Sequence, residues 1–323
     1  MFIDKIGIDI YYMPFIKKPF MKKKYIHIVN NISNKDFKKY YLAPQKPLII
    51  KGLTDTCVAR TKWTMDYIAS VCGDVTVDLF DNLNSNKASA FTTPDRKMKF
   101  ADYINIVAEN KPTSLRMFLF NMFKAKPQLR KDFPCPKIFR GVLGRMGFMF
   151  FGAKNIKVRI HQDMDMSNVM LTQFYGRKKV VLIAPIYSAL LYKLPFNTHS
   201  LIDLDNPNYE KYPGLKYIET YECILEHGDS LFIPSGYWHY ITYVDGGFSV
   251  SYRKLSGSLK NILIGLLNLC IYTPFDKLMN KLVKEKWLVK KEKIAEVRAQ
   301  KVINQIEKDL HKPEAVDIQF QPN

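Results

Sequence analysis

The chain has 323 residues, 47% hydrophobic and 24% charged, which is too apolar for disorder across its body and long enough for one large domain or two modest ones. Five scattered cysteines (Cys57, Cys72, Cys135, Cys223, Cys270) form no C-x-x-C pair, which sets aside a disulfide framework and a zinc cluster and fits a reducing cytoplasm. The formal charge of +19 favours anionic partners such as nucleic acid or phospholipid headgroups, yet no RNA-recognition motif, helix-turn-helix or Arg-rich tract accompanies it, and a solubilising lysine surface is the simpler reading.

The N-terminus has early acids and no cleavage-site pattern, so no secretory signal is expected. Residues 1–45 read as an irregular basic, aromatic arm, with ten lysines against three aspartates in the first 50 positions. "KPLIIKGL" (46–53) predicts a short buried strand. "TKWTMDYIASVCG" (61–73) predicts a helix capped by Thr61, with Trp63, Tyr67, Ile68 and Val71 on one face. A second helix is expected at 99–110 and a compact aromatic piece at 114–129, with Trp63 and the Phe-rich run 118–123 as core.

From about 146 the period changes. "GFMFFGA", "IKVRIHQD", "MLTQFY", "KKVVLIAP", "ECILEHGDSLFIP", "WHYITYV" and "FSVSYRK" are short β-rich runs separated by Gly, Pro and Asx turns, a spacing that suggests an antiparallel sandwich or barrel. The tail from 256 is helical, with Ala295, Ala299, Val302, Ile306 and Leu310 at steps of three and four. No run of about 18 apolar residues exists, so no spanning helix is expected. The best candidate, "NILIGLLNLCIY" (261–272), is expected to pack against protein.

On a strand, residues two apart share a face, so His161 and Asp163 in "IHQD" project together while Gln162 turns away. Imidazole and carboxylate side by side are two legs of a two-His, one-carboxylate metal site, the arrangement of non-haem Fe(II) oxygenases. The third leg must come from elsewhere. His27 and His311 lie outside the β-rich block, His199 sits in a loop-like segment with a surface role expected, and His227 precedes a turn glycine. His239, in a strand after a Pro-Ser-Gly turn and flanked by Trp238 and Tyr240, is the candidate.

These elements together are more specific than the triplet. "IHQDMDMSNVMLTQFYGRKKVVLIAP", followed by "HGDSLFIPSGYWHYITYVDGGFSVSYRK", resembles the cupin-like branch of the Jumonji C family of Fe(II)/2-oxoglutarate oxygenases, over roughly residues 45–255. The resemblance implies a mainly β fold with helical elaborations: a double-stranded β-helix (jelly-roll or cupin) core at about 146–255, within a catalytic domain at 46–255. The basic arm at 1–45 and a helical extension at 256–323 would flank it. It further implies Fe(II) on His161, Asp163 and His239, and O2 as co-reactant. The 2-oxoglutarate would be clamped at its 5-carboxylate by Lys178, with Asn168 near the 1-carboxylate, and converted to succinate and CO2. Three departures stand out: Val158 replaces a family threonine, Ser251 stands where a cosubstrate-contacting asparagine is common, and the segment from Asp163 to Asn168 is one residue longer. Asp165 is expected to be an exposed turn carboxylate.

The leading expectation is therefore a hydroxylase, acting on a protein or peptide side chain, with an RNA base or small molecule as alternatives. A catalytically silent cupin-fold metal-binding or sensing protein is the reading from a different class. An anionic partner on the basic arm (Lys17, Lys18, Lys22, Lys23, Lys24) is a third. Residues 275–310 are amphipathic, consistent with a homodimer through the C-terminal helices or with a helix folded back on its own barrel.

Overall fold

A computed structural model describes residues 21–81 and 94–310. Strands β1 (Lys22–Tyr25) and β2 (His27–Asn30) open the described chain, followed by β3 (Leu48–Lys51), β4 (Thr76–Asp81), β5 (Arg96–Lys99) and β6 (Leu115–Phe120). Eight strands then run in close succession: β7 (Gly147–Gly152), β8 (Lys157–His161), β9 (Asn168–Tyr175), β10 (Lys178–Ile183), β11 (Glu219–Leu225), β12 (Ser230–Ile233), β13 (Trp238–Tyr243) and β14 (Gly247–Lys254). They divide between two sheets, with neighbour orders β1-β11-β10-β13-β8 and β2-β3-β12-β9-β14-β7-β6-β4-β5. Strands β7–β14 thus contribute four to each sheet, the double-sheet jelly roll expected of the cupin core.

Alternation assigns the faces. On β14, Phe248, Val250 and Tyr252 join Phe151, Phe174 and Tyr103 in the aromatic core outside the larger sheet. Ser249, Ser251 and Arg253 take the opposite face, towards the space between the sheets. Val169, Leu171, Val180, Leu182, Leu231 and Ile233 fill that space at the end closed by β3. The helices α1 (Met65–Cys72) and α2 (Phe100–Ala108) cover the outer core, with Trp63 only 2% exposed.

Several expectations are corrected here. Thr64, and not Thr61, caps α1, its hydroxyl accepting from the Tyr67 amide at 3.1 Å. The piece at 114–129 begins as a strand, and Phe118 and Phe120 are only half-buried on it. From Lys22 the arm is regular: β1 pairs in parallel with β11, and Lys24 and Lys23 bridge Glu219 and Glu222 at 2.6 and 3.2 Å. Those lysines are neutralised by the chain's own acids and offer little to an outside anion; Lys17 and Lys18 lie outside the described residues.

The tail forms α3 (Leu259–Leu267), a wide π turn at Asn268–Tyr272, α4 (Thr273–Val283) and α5 (Glu285–Leu310). Helix α5 folds back on its own barrel, burying Ala295, Ala299 and Ile303 against a cluster that contains Ile160, Val181, Trp238 and Tyr240. This is the folded-back alternative. The stretch 261–272 does not pack as expected: it belongs to a 25-residue helical run, 259–283, whose most apolar window is only 17% buried. The run touches the barrel through small and polar residues. Asn261 donates to Ser235 Oγ at 2.8 Å and Asn268 to the Met164 carbonyl at 3.0 Å, while a Cβ on Gly265 would come within 2.4 Å of the Asp165 carbonyl oxygen. Gly265→Ala is expected to cost about 1–3 kcal/mol by urea denaturation, because backbone must move to admit the methyl group.

Candidate metal centre

His161 ends β8 and His239 stands second in β13, and the two are register partners across the sheet. Asp163 follows two residues after His161, beyond the strand end. The three offer one ligand atom each within 4.8 Å of one another, the metal-competent cluster of this composition among the described residues. Gln162 does turn away, donating to the Gly236 carbonyl at 2.5 Å and accepting from Lys193 Nζ at 3.0 Å.

Both imidazoles are oriented the same way. His161 Nδ1 lies 2.7 Å from the Arg159 carbonyl, and His239 Nδ1 lies 3.2 Å from the Tyr237 carbonyl. A carbonyl only accepts, so Nδ1 carries the proton and Nε2 keeps its lone pair for a ligand. Burial pushes both rings towards the neutral form, His161 down to about 3, with each ring's neighbours contributing less. Burial alone would raise Asp163, but the charge of Arg253, helped by His239 and His161, outweighs it and holds the carboxyl below its usual range. The donor set is therefore two neutral nitrogens and one carboxylate, all deprotonated as metal binding requires.

Arg253 is the residue that sequence reasoning missed. Its guanidinium forks, Nη2 to Asp163 Oδ1 at 3.0 Å and Nη1 to Asp165 Oδ1 at 2.9 Å and Ser167 Oγ at 3.0 Å, with 8% of the residue exposed. Asp165 is thus no exposed turn carboxylate. It helps to anchor the arginine that holds Asp163. The available signal was alternation in "FSVSYRK", which puts a charged side chain on the inward face of β14.

His199 is a second correction. It does not sit on the surface: it forms an isolated bridge with His161 and stacks on it at 5.4 Å and 16°. Its Nδ1 lies 3.0 Å from Asn197 Oδ1, and the same oxygen accepts from the amides of Thr198 and His199. No spacing rule announces a loop residue brought back to a strand end. His227, by contrast, stays in its turn, against the Phe174 carbonyl at 2.6 Å.

Lys178 stands on the inward face of β10, four residues from Leu182, the register partner of His239. That places it about 13 Å along the strand from the metal cluster, a gap suited to a lysine and a five-carbon diacid laid end to end. It is 1% exposed, its ammonium sits 4.3 Å from the centre of the Tyr243 ring, and it bonds Ser249 Oγ. No carboxylate pairs with it among the described residues, and burial drives it well below 10.5. Ser251, on the same inward face of β14, has a buried hydroxyl with no hydrogen-bond partner among the described residues. A lone buried amine and an orphaned hydroxyl between it and the metal cluster fit a bound anion. Asn168 is not brought to this space: its amide is committed to the Ser235 amide at 3.0 Å and the Leu255 carbonyl at 3.3 Å. Val158 pairs with Ile241 beside a bulge and supplies no hydroxyl.

A double-sheet barrel with a His-Asp-His cluster at the mouth and a buried lysine inside defines a cupin-type metal centre. The chain belongs to the cupin-like domain family, of the Jumonji C type, whose profile matches residues 34–253. Lysine-specific demethylase 8 of Xenopus tropicalis is 30% identical over 228 residues, 67% of this chain and 49% of that protein. tRNA wybutosine-synthesizing protein 5 of Gallus gallus is 26% identical over 243 residues, covering 69% and 74%. Lysine-specific demethylase JMJ30 of Arabidopsis thaliana is 26% identical over 238 residues, covering 69% and 53%. The chain spans about half the length of the two demethylases. The family's chemistry is that of Fe(II)/2-oxoglutarate oxygenases.

Proposed function

We propose that the chain is an Fe(II)- and 2-oxoglutarate-dependent hydroxylase of a protein or peptide side chain. The observation that carries this is the convergence of His161, Asp163 and His239 within 4.8 Å, with Nδ1 of both histidines occupied and Nε2 left for a metal. When bound, Fe(II) and 2-oxoglutarate supply the oxygen-activating chemistry, releasing succinate and CO2.

The chain's own residues hold and orient. His161, Asp163 and His239 would hold the metal through one ligand atom each. Lys178 would receive the distal carboxylate, whose charge favours the protonated amine. Ser249, already bonded to Lys178, offers a hydroxyl beside the same carboxylate. Ser251 donates its unpaired hydroxyl to the cosubstrate. Val169, Leu171, Val180 and Leu182 line the space between the sheets with apolar side chains and limit its water. Arg253 fixes the Asp163 carboxylate through Oδ1, and would hold it in place for a metal.

A protein or peptide substrate is favoured because two of the relatives above bear the name lysine-specific demethylase. The test is succinate formation from 2-oxoglutarate with Fe(II) and ascorbate, with and without candidate substrates, followed by mass spectrometry for a gain of one oxygen. Turnover is expected in the wild type and not in His161→Ala or Asp163→Ala. Metal and 2-oxoglutarate binding with no turnover on any substrate would instead establish the silent sensing protein.

A further inference from the structure

The helical run 259–283 is amphipathic in the reverse sense. Its polar and small residues (Asn261, Gly265, Asn268, Asp276) face the barrel, and Leu259, Leu263, Leu266, Ile271, Leu278 and Leu282 face outwards, between 52% and 77% exposed. The π turn keeps those six in line. On an uninterrupted α-helix Leu278 would sit about 100° round from Leu259. The wide turn at Asn268–Tyr272 absorbs about one residue and brings it back. The result is one apolar stripe about 35 Å long, far from the scattered single exposures that need no explanation.

The flanks are basic. Lys260 borders one side of the stripe and Lys277 and Lys281 the other, all exposed. The one acid in the run, Asp276, is buried and bonded to Lys291 Nζ at 2.7 Å and Trp287 Nε1 at 2.8 Å. Its outer surface therefore carries leucine and lysine and no negative charge. The run cannot span a bilayer from this position. Its start is joined to β14 by four residues, and α5 returns it to the same barrel, so both ends lie on one side.

We propose that this face is a membrane-docking surface that lies in the interface of an anionic lipid bilayer, the leucines in the acyl boundary and the lysines at the headgroups. The charge selects this occupant over a second copy of the chain. Two chains of +19 meeting on a lysine-bordered face would repel, whereas an anionic surface complements the same lysines.

The test is co-sedimentation of the full chain with vesicles of equal parts phosphatidylserine and phosphatidylcholine, or phosphatidylcholine alone. The comparison variant is Leu263→Ser/Leu278→Ser/Leu282→Ser, all exposed positions, with folding checked by circular dichroism. Salt-sensitive binding to the anionic vesicles, weaker on phosphatidylcholine and reduced about tenfold or more in the variant, supports the proposal. It is overturned if wild type and variant sediment alike, if both vesicle types bind equally, or if no vesicles bind. Analytical ultracentrifugation showing a dimer that the variant dissolves, without vesicle binding, would assign the face to a second copy.

Discussion

Lys178→Met is expected to make the protein more stable at neutral pH while weakening 2-oxoglutarate binding by roughly a hundredfold or more. The two effects have one cause. Lys178 is buried without an acid, so its native pKa lies well below the 10.5 of the unfolded chain. The unfolded state then binds the extra proton, and the resulting penalty on folding is full below the native pKa. It fades as pH rises through the window between the native value and 10.5. Methionine keeps the unbranched stem and removes the charge, so the variant's advantage in urea denaturation should be clear at pH 7 and shrink towards pH 10.5. In calorimetric titration of the metal-loaded protein, the same variant leaves the distal carboxylate buried and unpaired. A variant less stable than wild type at pH 7 would show that Lys178 serves packing and is not held ready for an anion.

The second large effect is at Arg253. Arg253→Leu leaves Asp163 and Asp165 facing each other without their cation, which is expected to cost about 3–5 kcal/mol in the metal-free protein. Metal affinity should fall roughly 10- to 100-fold, as for other groups that orient a ligand. Because the variant binds metal more weakly, saturating metal stabilises it less than wild type and should widen the stability gap in thermal unfolding, by about 1.4–2.7 kcal/mol for a 10- to 100-fold loss of affinity. Arg253→Lys is predicted to lie between the two, because a single ammonium cannot fork to both carboxylates. Equal metal affinity in wild type and Arg253→Leu would remove Arg253 from the site and leave it a framework residue.

Much of the centre is legible in the sequence. His161 and Asp163 share a face because a strand repeats every two residues, and Gln162 turns away for the same reason. Lys178 and its neighbour Lys179 alternate likewise, one buried and one half-exposed. Arg253 was legible in principle, since "FSVSYRK" alternates as cleanly as "IHQD", but one charged residue at a strand end does not say which acid it meets. Asn168 shows the opposite error. Family position pointed it at the cosubstrate, and its amide is instead taken up by two backbone groups supplied by Ser235 and Leu255, far away in the chain.

Alternation, capping and turn chemistry act between residues a few positions apart, and so the β-rich strands, the H-x-D pair and the apolar seam of α5 could be read from the sequence, whereas the surface that seam meets, its own barrel, could not. What the tertiary structure alone decided is every pairing across long separations. It opposed His239 to His161, stacked His199 on that ring, and matched Lys22–Lys24 with Glu219 and Glu222. It also turned the leucines of 259–283 outwards, because the barrel surface beneath them presents the Met164 carbonyl, which accepts a hydrogen bond from Asn268, and the Asp165 carbonyl, which leaves room only for Gly265. Strand register and helix rotation are set by surfaces that exist only once the chain has folded.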